Sequence, residues 1–322
     1  MKKQTGLWKI AARVLAMVGV LLFASLLTAC QWEAADLESD SYVTNTYEIR
    51  EDFTNLSVDV DTADVFLVKS EDGVCRVECY EHEKETHTAA VQGGTLVIRL
   101  AEERAWYDYI DIAFKSPKIT VYLPETQYAA LSVSADTGDI DIPQGFRFES
   151  VDLSTDTGSI DFYASASGGV KAETDTGSIT MEHSSADSLD LTASTGWMKV
   201  SHVSCVGDIR LRISTGKTDL TDIRCRQLTS HGDTGAISLR DVIATERLTI
   251  RRDTGDVSLD GCDAEDISIT TDTGDVEGSL LSDKIFFAES DTGRVDVPQS
   301  MSGGKCEIQT DTGNIKIQVN PS

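Results

Sequence analysis

The chain has 322 residues, with 54 acidic and 28 basic side chains and a formal charge of −26. Residues 1–29 hold four of the basic residues and no acid, so the remainder carries 24 − 54 = −30. A field of that sign repels nucleic acid and anionic lipid, which argues against nucleic acid as a partner.

The N-terminus is typical of a bacterial lipoprotein signal peptide. Four basic residues precede an apolar stretch, residues 14–27, that is shorter than a membrane-spanning helix prefers. The stretch closes on Leu-Thr-Ala-Cys, which resembles a lipobox, so we predict cleavage after residue 29 and a lipid on Cys30. The alternative is an uncleaved helical anchor. Either anchor would hold the following residues at the outer face of the cytoplasmic membrane, in the cell envelope.

Three segments follow in the predicted organisation. Residues 30–42 are acidic and aperiodic, which favours a tether. Residues 43–126 are predicted to be an irregular N-terminal part of the folded region, and residues 127–322 its regular repeats. The irregular part is expected to cover the first repeat. Its aromatic cluster at residues 105–109 is expected to plug that end, with ligand contact as the alternative.

The regular part is defined by a Thr-Gly pair that recurs ten times at steps of 19 or 20 residues. Eight of the pairs follow an aspartate and two follow a serine. An eleventh copy precedes them, with Ala63 in the place of the glycine. The ten glycines, predicted to be structural turn residues, are Gly138, Gly158, Gly177, Gly196, Gly216, Gly235, Gly255, Gly274, Gly293 and Gly313.

Residues alternate between apolar and polar on both sides of each glycine. Positions −7, −5, +2 and +4 are apolar in 37 of 40 cases, the exceptions being Thr218, Ser230 and Gly278. The positions between them are apolar in only three of 40 cases, so each repeat is predicted to hold two strands with one buried face each. At the corner, glycine can supply a positive φ and the aspartate can cap the turn.

Repeats this short bury a core only by stacking. We predict an all-β fold, a single-stranded parallel β-helix (β-solenoid) of about eleven two-stranded rungs. A five-bladed propeller with two repeats per blade is the alternative. It would give alternate repeats different environments, whereas the repeats of this chain are alike.

The motifs Thr-Asp-Thr-Gly-Ser-Ile, Thr-Asp-Thr-Gly-Asp-Val and Thr-Asp-Thr-Gly-Asn-Ile follow a strand that ends in Leu-Pro at residues 123–124. In these features the sequence resembles the bacterial "putative adhesin" β-helix family, a domain of unknown function in cell-envelope proteins. The resemblance covers residues 43–320. It implies a stacked β fold and brings no catalytic residues. Some relatives lie near envelope-stress genes, which implies sensing or scaffolding.

No constellation in the sequence predicts catalysis, a cofactor or a metal site. Asp-Thr-Gly is also the aspartic-protease signature, but that mechanism needs one facing pair of loops, and a repeated turn explains all eight copies. The cysteines other than Cys30 fit neither zinc nor redox spacing. We therefore predict a non-enzymatic envelope lipoprotein whose β-helix serves adhesion, scaffolding or envelope-stress sensing. The alternatives are a polysaccharide-acting β-helix enzyme and a self-assembling structural protein.

Position −4 faces outward in every rung, and three consecutive rungs place Arg212, His231 and Arg251 there. In-register stacking would set them about 4.8 Å apart. Close cations repel, and arginine forks suit phosphate or carboxylate groups. This column is the candidate site for an anionic envelope polymer, with another envelope protein as the alternative partner. Acids in adjacent columns could instead neutralise it, although position −6 of the same rungs holds none.

The Gly313 rung is nearly the end of the chain, and only four further residues, 319–322, could cover it. An uncovered strand edge can pair with another chain. The sequence therefore predicts end-to-end self-association at the Gly313 rung.

Overall fold

The computed structural model describes residues 42–101 and 116–320 of the chain. The predicted signal peptide, the lipidation site Cys30 and the aromatic cluster at residues 105–109 lie outside those ranges. Within them, no helix combines the length and the apolar character that crossing a membrane requires. The described residues belong to one compact unit that begins at Tyr42.

The described residues form 25 strands. The irregular part holds β1 (Tyr42–Ile49), β2 (Asn55–Thr62), β3 (Asp64–Lys69), β4 (Cys75–His82), β5 (His87–Gln92), β6 (Thr95–Leu100) and β7 (Lys118–Leu123). Then follow β8 (Gln127–Thr137), β9 (Ile140–Ile142), β10 (Arg147–Thr157), β11 (Ile160–Phe162), β12 (Ser165–Ala166), β13 (Gly169–Thr176), β14 (Ile179–Glu182), β15 (Ser185–Ala186), β16 (Ser188–Cys205), β17 (Asp208–Thr234), β18 (Ile237–Thr254) and β19 (Val257–Cys262). The last strands are β20 (Asp266–Thr273), β21 (Val276–Leu280), β22 (Lys284–Thr292), β23 (Val295–Asp296), β24 (Gly304–Thr312) and β25 (Ile315–Val319).

Equivalent strands of successive repeats pair in parallel and in register. Val151 lies opposite Val170, Val170 opposite Leu189, and Leu189 opposite Ile209, so position −7 forms one continuous buried column. This confirms the predicted all-β solenoid, and the parallel ladder replaces the antiparallel blades that a propeller would need. The alternating sequence folds this way because only stacking covers the apolar face of each rung.

The irregular part closes one end of the stack. The β2–β3 rung lies between the later β6–β7 layer on one side and the β8–β9 rung on the other. Beyond that layer, β4 pairs antiparallel with β7, β1 pairs antiparallel with β4, and β5 pairs antiparallel with β6. The prediction that this region covers the first rung is therefore confirmed, with antiparallel strands as the cover.

Four of the ten glycine rungs have a threonine three residues before the glycine, and this threonine bonds the corner to the neighbouring rung. Thr155 and Thr174 are buried, and their hydroxyls donate to the carbonyl oxygens of Gly138 and Gly158 in the preceding rung at 3.0 and 2.9 Å. A buried hydroxyl thus satisfies a carbonyl in the core, where water cannot reach it. The cap predicted for the aspartate two residues before the glycine comes instead from the residue after the glycine. Asp139 Oδ1, for example, accepts from the Ser159 N–H at 2.7 Å.

The corner glycines are required mainly because backbones approach closely there. Eight of the ten have φ between 132° and 158°, and Gly274 and Gly293 are the other two. A Cβ on Gly255 would lie 2.2 Å from the carbonyl oxygen of Gly235, and one on Gly274 would lie 2.2 Å from that of Gly255. The stack at this corner therefore has no room for a side chain, whatever the φ of the individual glycine.

The last two rungs of the sequence are exchanged in the stack. β24 pairs with β20 on one side and with β22 on the other, and β25 pairs likewise with β21 and β23. The Gly313 rung is thus interior, and the Gly293 rung is the end of the solenoid. The expectation that the Gly313 rung forms the open end is wrong. Its apolar residues, such as Ile308 and Ile315, are fully buried, whereas Val295 of the Gly293 rung is 39% exposed.

Two adjacent glycines let the chain turn back between rungs that are already close. A Cβ on Gly303 would lie 1.8 Å from the carbonyl oxygen of Asp283, and one on Gly304 would lie 1.7 Å from that of Glu265. These carbonyls belong to the segments that lead into the two flanking rungs. Inserting the Gly313 rung between them buries its apolar side chains on both sides, which the hydrophobic effect favours.

The exchanged order predicts an inverted pattern of amide hydrogen exchange. No strand within residues 42–101 and 116–320 bonds the N–H groups of β22 that point away from β24, whereas β24 is bonded on both sides. We expect β22 to exchange at least about tenfold faster than β24, although β24 is nearer the C-terminus. Peptide-resolved exchange followed by mass spectrometry measures this. Faster exchange in β24 than in β22 would show that the rungs stack in sequence order.

Candidate functional site

The predicted cationic column lies on the outer face of the strands that precede the corner. Arg212 and His231 belong to the long strand β17, one repeat apart, and His231 lies opposite Arg251 in the parallel ladder. All three side chains are exposed. The column is bounded by Thr192, opposite Arg212, and by Thr270, opposite Arg251. The structure therefore brings the three predicted residues together on one solvent-facing strip.

The column is only partly neutralised by acids. Arg212 Nη1 donates to Asp190 Oδ1 at 2.7 Å, and Asp190 lies at position −6 of the preceding rung. Because the pair joins two different rungs, the acids on the rung of Arg212 itself do not reveal it. Among the described residues, neither Arg251 nor His231 has a carboxylate within ion-pair distance. An exposed pair such as Arg212–Asp190 is weak in water, so an anionic ligand can compete with Asp190.

Directly behind the column, a third arginine, Arg252, is buried in the core. Arg252 has no exposed surface, although it occupies position −3, which holds threonine in several other rungs. Its Nη1 donates to the carbonyl oxygen of Arg251 at 3.0 Å, and its Nη2 donates to Ser230 Oγ at 3.0 Å and Thr218 Oγ1 at 3.3 Å. Its Nε has no hydrogen-bond partner. Burial lowers the pKa of Arg252 to about 10, so the group is still charged at neutral pH.

The residues around Arg252 explain two irregularities of the repeat. Thr218 and Ser230 are two of the three non-apolar residues at inward positions, and both hydroxyls accept from the guanidinium. Gly232 stands at position −3 of the adjacent rung, where a Cβ would lie 2.6 Å from Arg252 Nη1. These departures from the pattern were the sequence signal for this cluster. Thr218 and Ser230 stand out as exceptions in the repeat, but the pattern alone does not connect them to Arg252.

Together these residues gather three arginines and a histidine in a small region of an acidic protein. No carboxylate among the described residues pairs with Arg252, and its field is weakly screened because it lies in a low-dielectric interior. Arg251 projects from the same strand into solvent, next to His231 and Arg212. Such an arrangement can hold phosphate or carboxylate groups by charge-assisted hydrogen bonds from the outer guanidinium groups.

The aspartates of the corners stack but do not form a metal centre. The pKa of Asp136 is raised by partial burial and by the charges of Asp61 and Asp156 on neighbouring rungs. Within residues 42–101 and 116–320, no three His, Cys, Asp or Glu side chains are grouped to hold an ion. The six cysteines of the described ranges are buried free thiols. Burial raises the pKa of Cys225 to about 12, which keeps that thiol protonated.

A buried histidine–carboxylate pair lies in the strands that close the first end. Glu81 Oε2 contacts His87 Nδ1 at 2.7 Å and accepts from the His87 backbone N–H at 2.8 Å, while Asn45 donates to Glu81 Oε1 at 2.6 Å. Such a pair activates a nucleophile only when one contacts the other ring nitrogen. His87 Nε2 is buried without a hydrogen-bond partner. The pair therefore links β1, β4 and β5, and among the described residues it has no nucleophile to activate.

A groove with a volume of 810 Å³ runs beside the segments that connect one repeat to the next, where Phe146, Arg147, Tyr163 and His183 contribute to its wall. Its one acidic lining residue, Glu125, forms an ion pair with Lys69. Glycoside hydrolysis commonly uses two carboxylates that flank the scissile bond. The groove does not supply that pair, so its residues do not favour the polysaccharide-acting alternative.

Comparison with known families identifies two overlapping matches along the chain. The model of the family described as Toastrack DUF4097 matches residues 53–213 and again residues 205–322. The two matches together span most of the irregular part, from residue 53 onward, and all of the regular rungs. No curated protein sequence matches the chain.

Several solved structures are similar to this chain over most of its length. A structure described as a "putative lipid binding protein" from Parabacteroides distasonis is 14% identical, with a TM-score of 0.48, covering 85% of this chain and 97% of its own. A "putative adhesin" from Bacteroides fragilis is 17% identical, with a TM-score of 0.39, covering 87% and 98%. Another "putative adhesin" from Parabacteroides distasonis is 13% identical, with a TM-score of 0.40, covering 84% and 98%.

Proposed function

The chain belongs to the Toastrack DUF4097 family, a domain family of unknown function, and we propose that it is a non-catalytic cell-envelope protein whose solenoid binds an anionic polymer. The observation that carries the proposal is the cationic centre formed by Arg212, His231 and Arg251 outside and Arg252 inside. Binding there would serve adhesion or scaffolding. An occupied column could equally report the state of the envelope.

The proposed location follows from the N-terminal sequence. A basic segment, a short apolar stretch and a lipobox-like tetrapeptide support lipidation of Cys30 and retention at the outer face of the cytoplasmic membrane. A protein held there faces the anionic polymers of the envelope. The acidic segment of residues 31–41 would hold the solenoid away from the anionic lipid surface.

The ligand class follows from the spacing and chemistry of the column. Parallel strands repeat about every 4.8 Å, so the column offers donors at regular steps along the solenoid axis. A polymer with a phosphate or carboxylate in each unit can meet several donors at once, which raises its affinity above that of a single anion. The chain after residue 29 has a net charge of −30, which disfavours binding of an anionic polymer elsewhere on the surface.

The proposal predicts opposite effects for two substitutions in the column. Arg251→Gln removes an unpaired donor and is expected to weaken binding of inorganic polyphosphate by about tenfold. Asp190→Asn releases Arg212 from its ion pair and is expected to strengthen binding. The full chain and its variants are titrated with polyphosphate and, in parallel, with poly-glutamate to separate phosphate from carboxylate preference.

Matched controls come from an exposed ion pair between β18 and β19, outside the column. Arg240 pairs with Asp260 at 3.4 Å and is 63% exposed. Arg240→Gln and Asp260→Asn change the net charge by the same amounts and are expected to leave the affinity within about twofold. Equal losses for Arg251→Gln and Arg240→Gln would show that binding follows net charge alone. A parent protein that binds neither polymer would refute the proposal.

A further inference from the structure

The groove of 810 Å³ crosses four consecutive rungs along the axis of the solenoid. Its lining residues come from four equivalent segments, each of which connects one repeat to the next. They are residues 125–127, 144–147, 163–165 and 183. Parallel pairing sets Gln127 opposite Arg147 and Arg147 opposite Ser165, at steps of about 4.8 Å. At Gly145 a Cβ would have no heavy atom within 4 Å, so the groove is open there as well. The groove can therefore accept several units of an extended chain.

The lining of the groove offers hydrogen-bonding groups that are not used within the fold. Within residues 42–101 and 116–320, four lining side chains have neither a hydrogen-bond nor an ion-pair partner. They are Gln127, Gln144, Arg147 and Tyr163. Carboxamide and phenol groups both donate and accept, and a guanidinium group donates. Such a mixed set suits hydroxyl groups, which also donate and accept, better than it suits an anion, which only accepts.

Flat rings also line the groove. Tyr163 is partly exposed, and His183 of the following rung is exposed. The ring of His183 stacks on that of His202 one rung further along, with centroids 4.6 Å apart and planes at 16°. This stack fixes the orientation of the His183 ring. A rigid ring with a polar atom can pack against the C–H face of a sugar and bond one of its hydroxyls.

The charges in and around the groove favour an uncharged ligand. Among the lining residues, one acid, Glu125, balances one arginine, Arg147, and Glu125 is already paired with Lys69. Burial raises the pKa of Tyr163, and so do the charges of nearby acids, Asp161 foremost. The phenol therefore stays protonated as a donor, and an anionic ligand beside it would be repelled. This setting differs from that of the arginine column proposed for an anionic polymer.

We propose that the groove binds an uncharged, extended, β-1,4-linked oligosaccharide. One unit of such a chain is about as long as the step between rungs, so successive sugars meet equivalent positions of successive rungs. A stiff chain also loses little freedom on binding, whereas the flexible α-1,6-linked chain of dextran would first have to be ordered. The site is separate from the column of Arg212, His231 and Arg251, which lies on later rungs. Its ligand is therefore tested independently of the anionic polymer.

Calorimetric titration of the full chain with two neutral tetrasaccharides, cellotetraose and chitotetraose, tests the ligand class. We expect at least one of them to bind with a Kd below about 1 mM. The affinity is expected to change by less than about twofold between 50 and 200 mM salt, because a neutral ligand releases no counterions. Tetramannuronate, which is β-1,4-linked with a carboxylate on every unit, is expected to bind at least about tenfold more weakly. Failure of both neutral tetrasaccharides to bind, or equal binding of tetramannuronate, would overturn the proposal.

Two variants test the place of binding. Arg147→Ser introduces the residue that the following rung carries opposite it, and Tyr163→Ser removes a ring from the groove. Each is expected to weaken binding of the better neutral tetrasaccharide at least about fivefold. The matched control is Arg99→Ser, which removes the same charge from an exposed position on β6 and should leave the affinity within about twofold. Unchanged melting temperatures would show that the variants are folded. Equal losses for Arg147→Ser and Arg99→Ser, or no loss for either groove variant, would overturn the assignment of this groove.

Discussion

Replacing Gly255 with alanine is expected to destabilise the folded state by about 3 kcal/mol or more. The added Cβ would lie 2.2 Å from the carbonyl oxygen of Gly235 and 3.0 Å from the Ala236 nitrogen. Backbone atoms cannot move aside as a flexible side chain can. The rungs would have to separate locally, which breaks the ladder on both sides. Denaturant unfolding of the parent and the variant measures the difference.

Gly169→Ala is the matched control for this substitution. Gly169 also lies in a parallel strand of the stack, but a Cβ there would meet only the Ser188 hydroxyl at 3.1 Å, and its φ is not positive. We expect a loss below about 1 kcal/mol for this control. Comparable losses at the two positions would show that the close approach of backbones at the corner does not limit stability.

Restoring the repeat pattern at Ser230 is expected to destabilise the protein. Position −5 is apolar in the other nine glycine rungs, so Ser230→Val follows the pattern. In this chain it removes an acceptor from the buried Arg252 guanidinium, which is bonded to Ser230 Oγ at 3.0 Å. Leaving a buried charged donor without its acceptor costs about 2–3 kcal/mol. We expect that loss in free energy of unfolding, measured by denaturant titration.

The reason for this loss is tested by a double-mutant cycle. Arg252→Thr introduces the residue that other rungs carry at position −3, and it removes the buried charge. In that background, Ser230→Val is expected to be neutral or stabilising, which corresponds to a coupling of about 2 kcal/mol. If Ser230→Val costs the same with and without the arginine, its effect comes from packing of the valine rather than from the guanidinium.

The repeat made the fold predictable from the sequence, because one environment is repeated ten times. Alternation about each glycine defined the inward columns, and their register follows once the rungs stack. The order of the rungs was not predictable in the same way. Periodicity is identical for the Gly293 and Gly313 rungs, so it cannot distinguish which of them lies outside. The structure shows which rung lies outside. Gly303 and Gly304 allow the close approach of the Gly313 rung to its two neighbours, and Val295 of the Gly293 rung is left partly exposed.

The candidate site was predictable on its exposed side and not in its interior. Arg212, His231 and Arg251 follow from one outward column, so their alignment could be read from the repeat. The ion pair of Arg212 with Asp190 runs diagonally between two columns and two rungs, which a search along one rung misses. Arg252 was hidden because a charged residue next to a corner is ordinarily solvated. The hydroxyls at 218 and 230 and the glycine at 232 were the signals of its burial.

The corner motif shows how a correct pattern can carry an incorrect role. The aspartate of Asp-Thr-Gly is the residue that the sequence singles out, and turn chemistry favours it as a cap. In the structure the first threonine and the residue after the glycine make the bonds to neighbouring rungs. Parallel stacking makes the contact between rungs, rather than within a turn, the one that must be satisfied.

Salt dependence of polyphosphate binding to the full chain tests the central claim most directly. A few arginine contacts to a polyanion release counterions, so the affinity should fall by roughly tenfold or more between 50 and 200 mM salt. Neutral dextran should not bind at either concentration. The account predicts this fall for the parent and a shallower one for Arg251→Gln. An affinity for polyphosphate that is absent at low salt, or unchanged between the two concentrations, would contradict it.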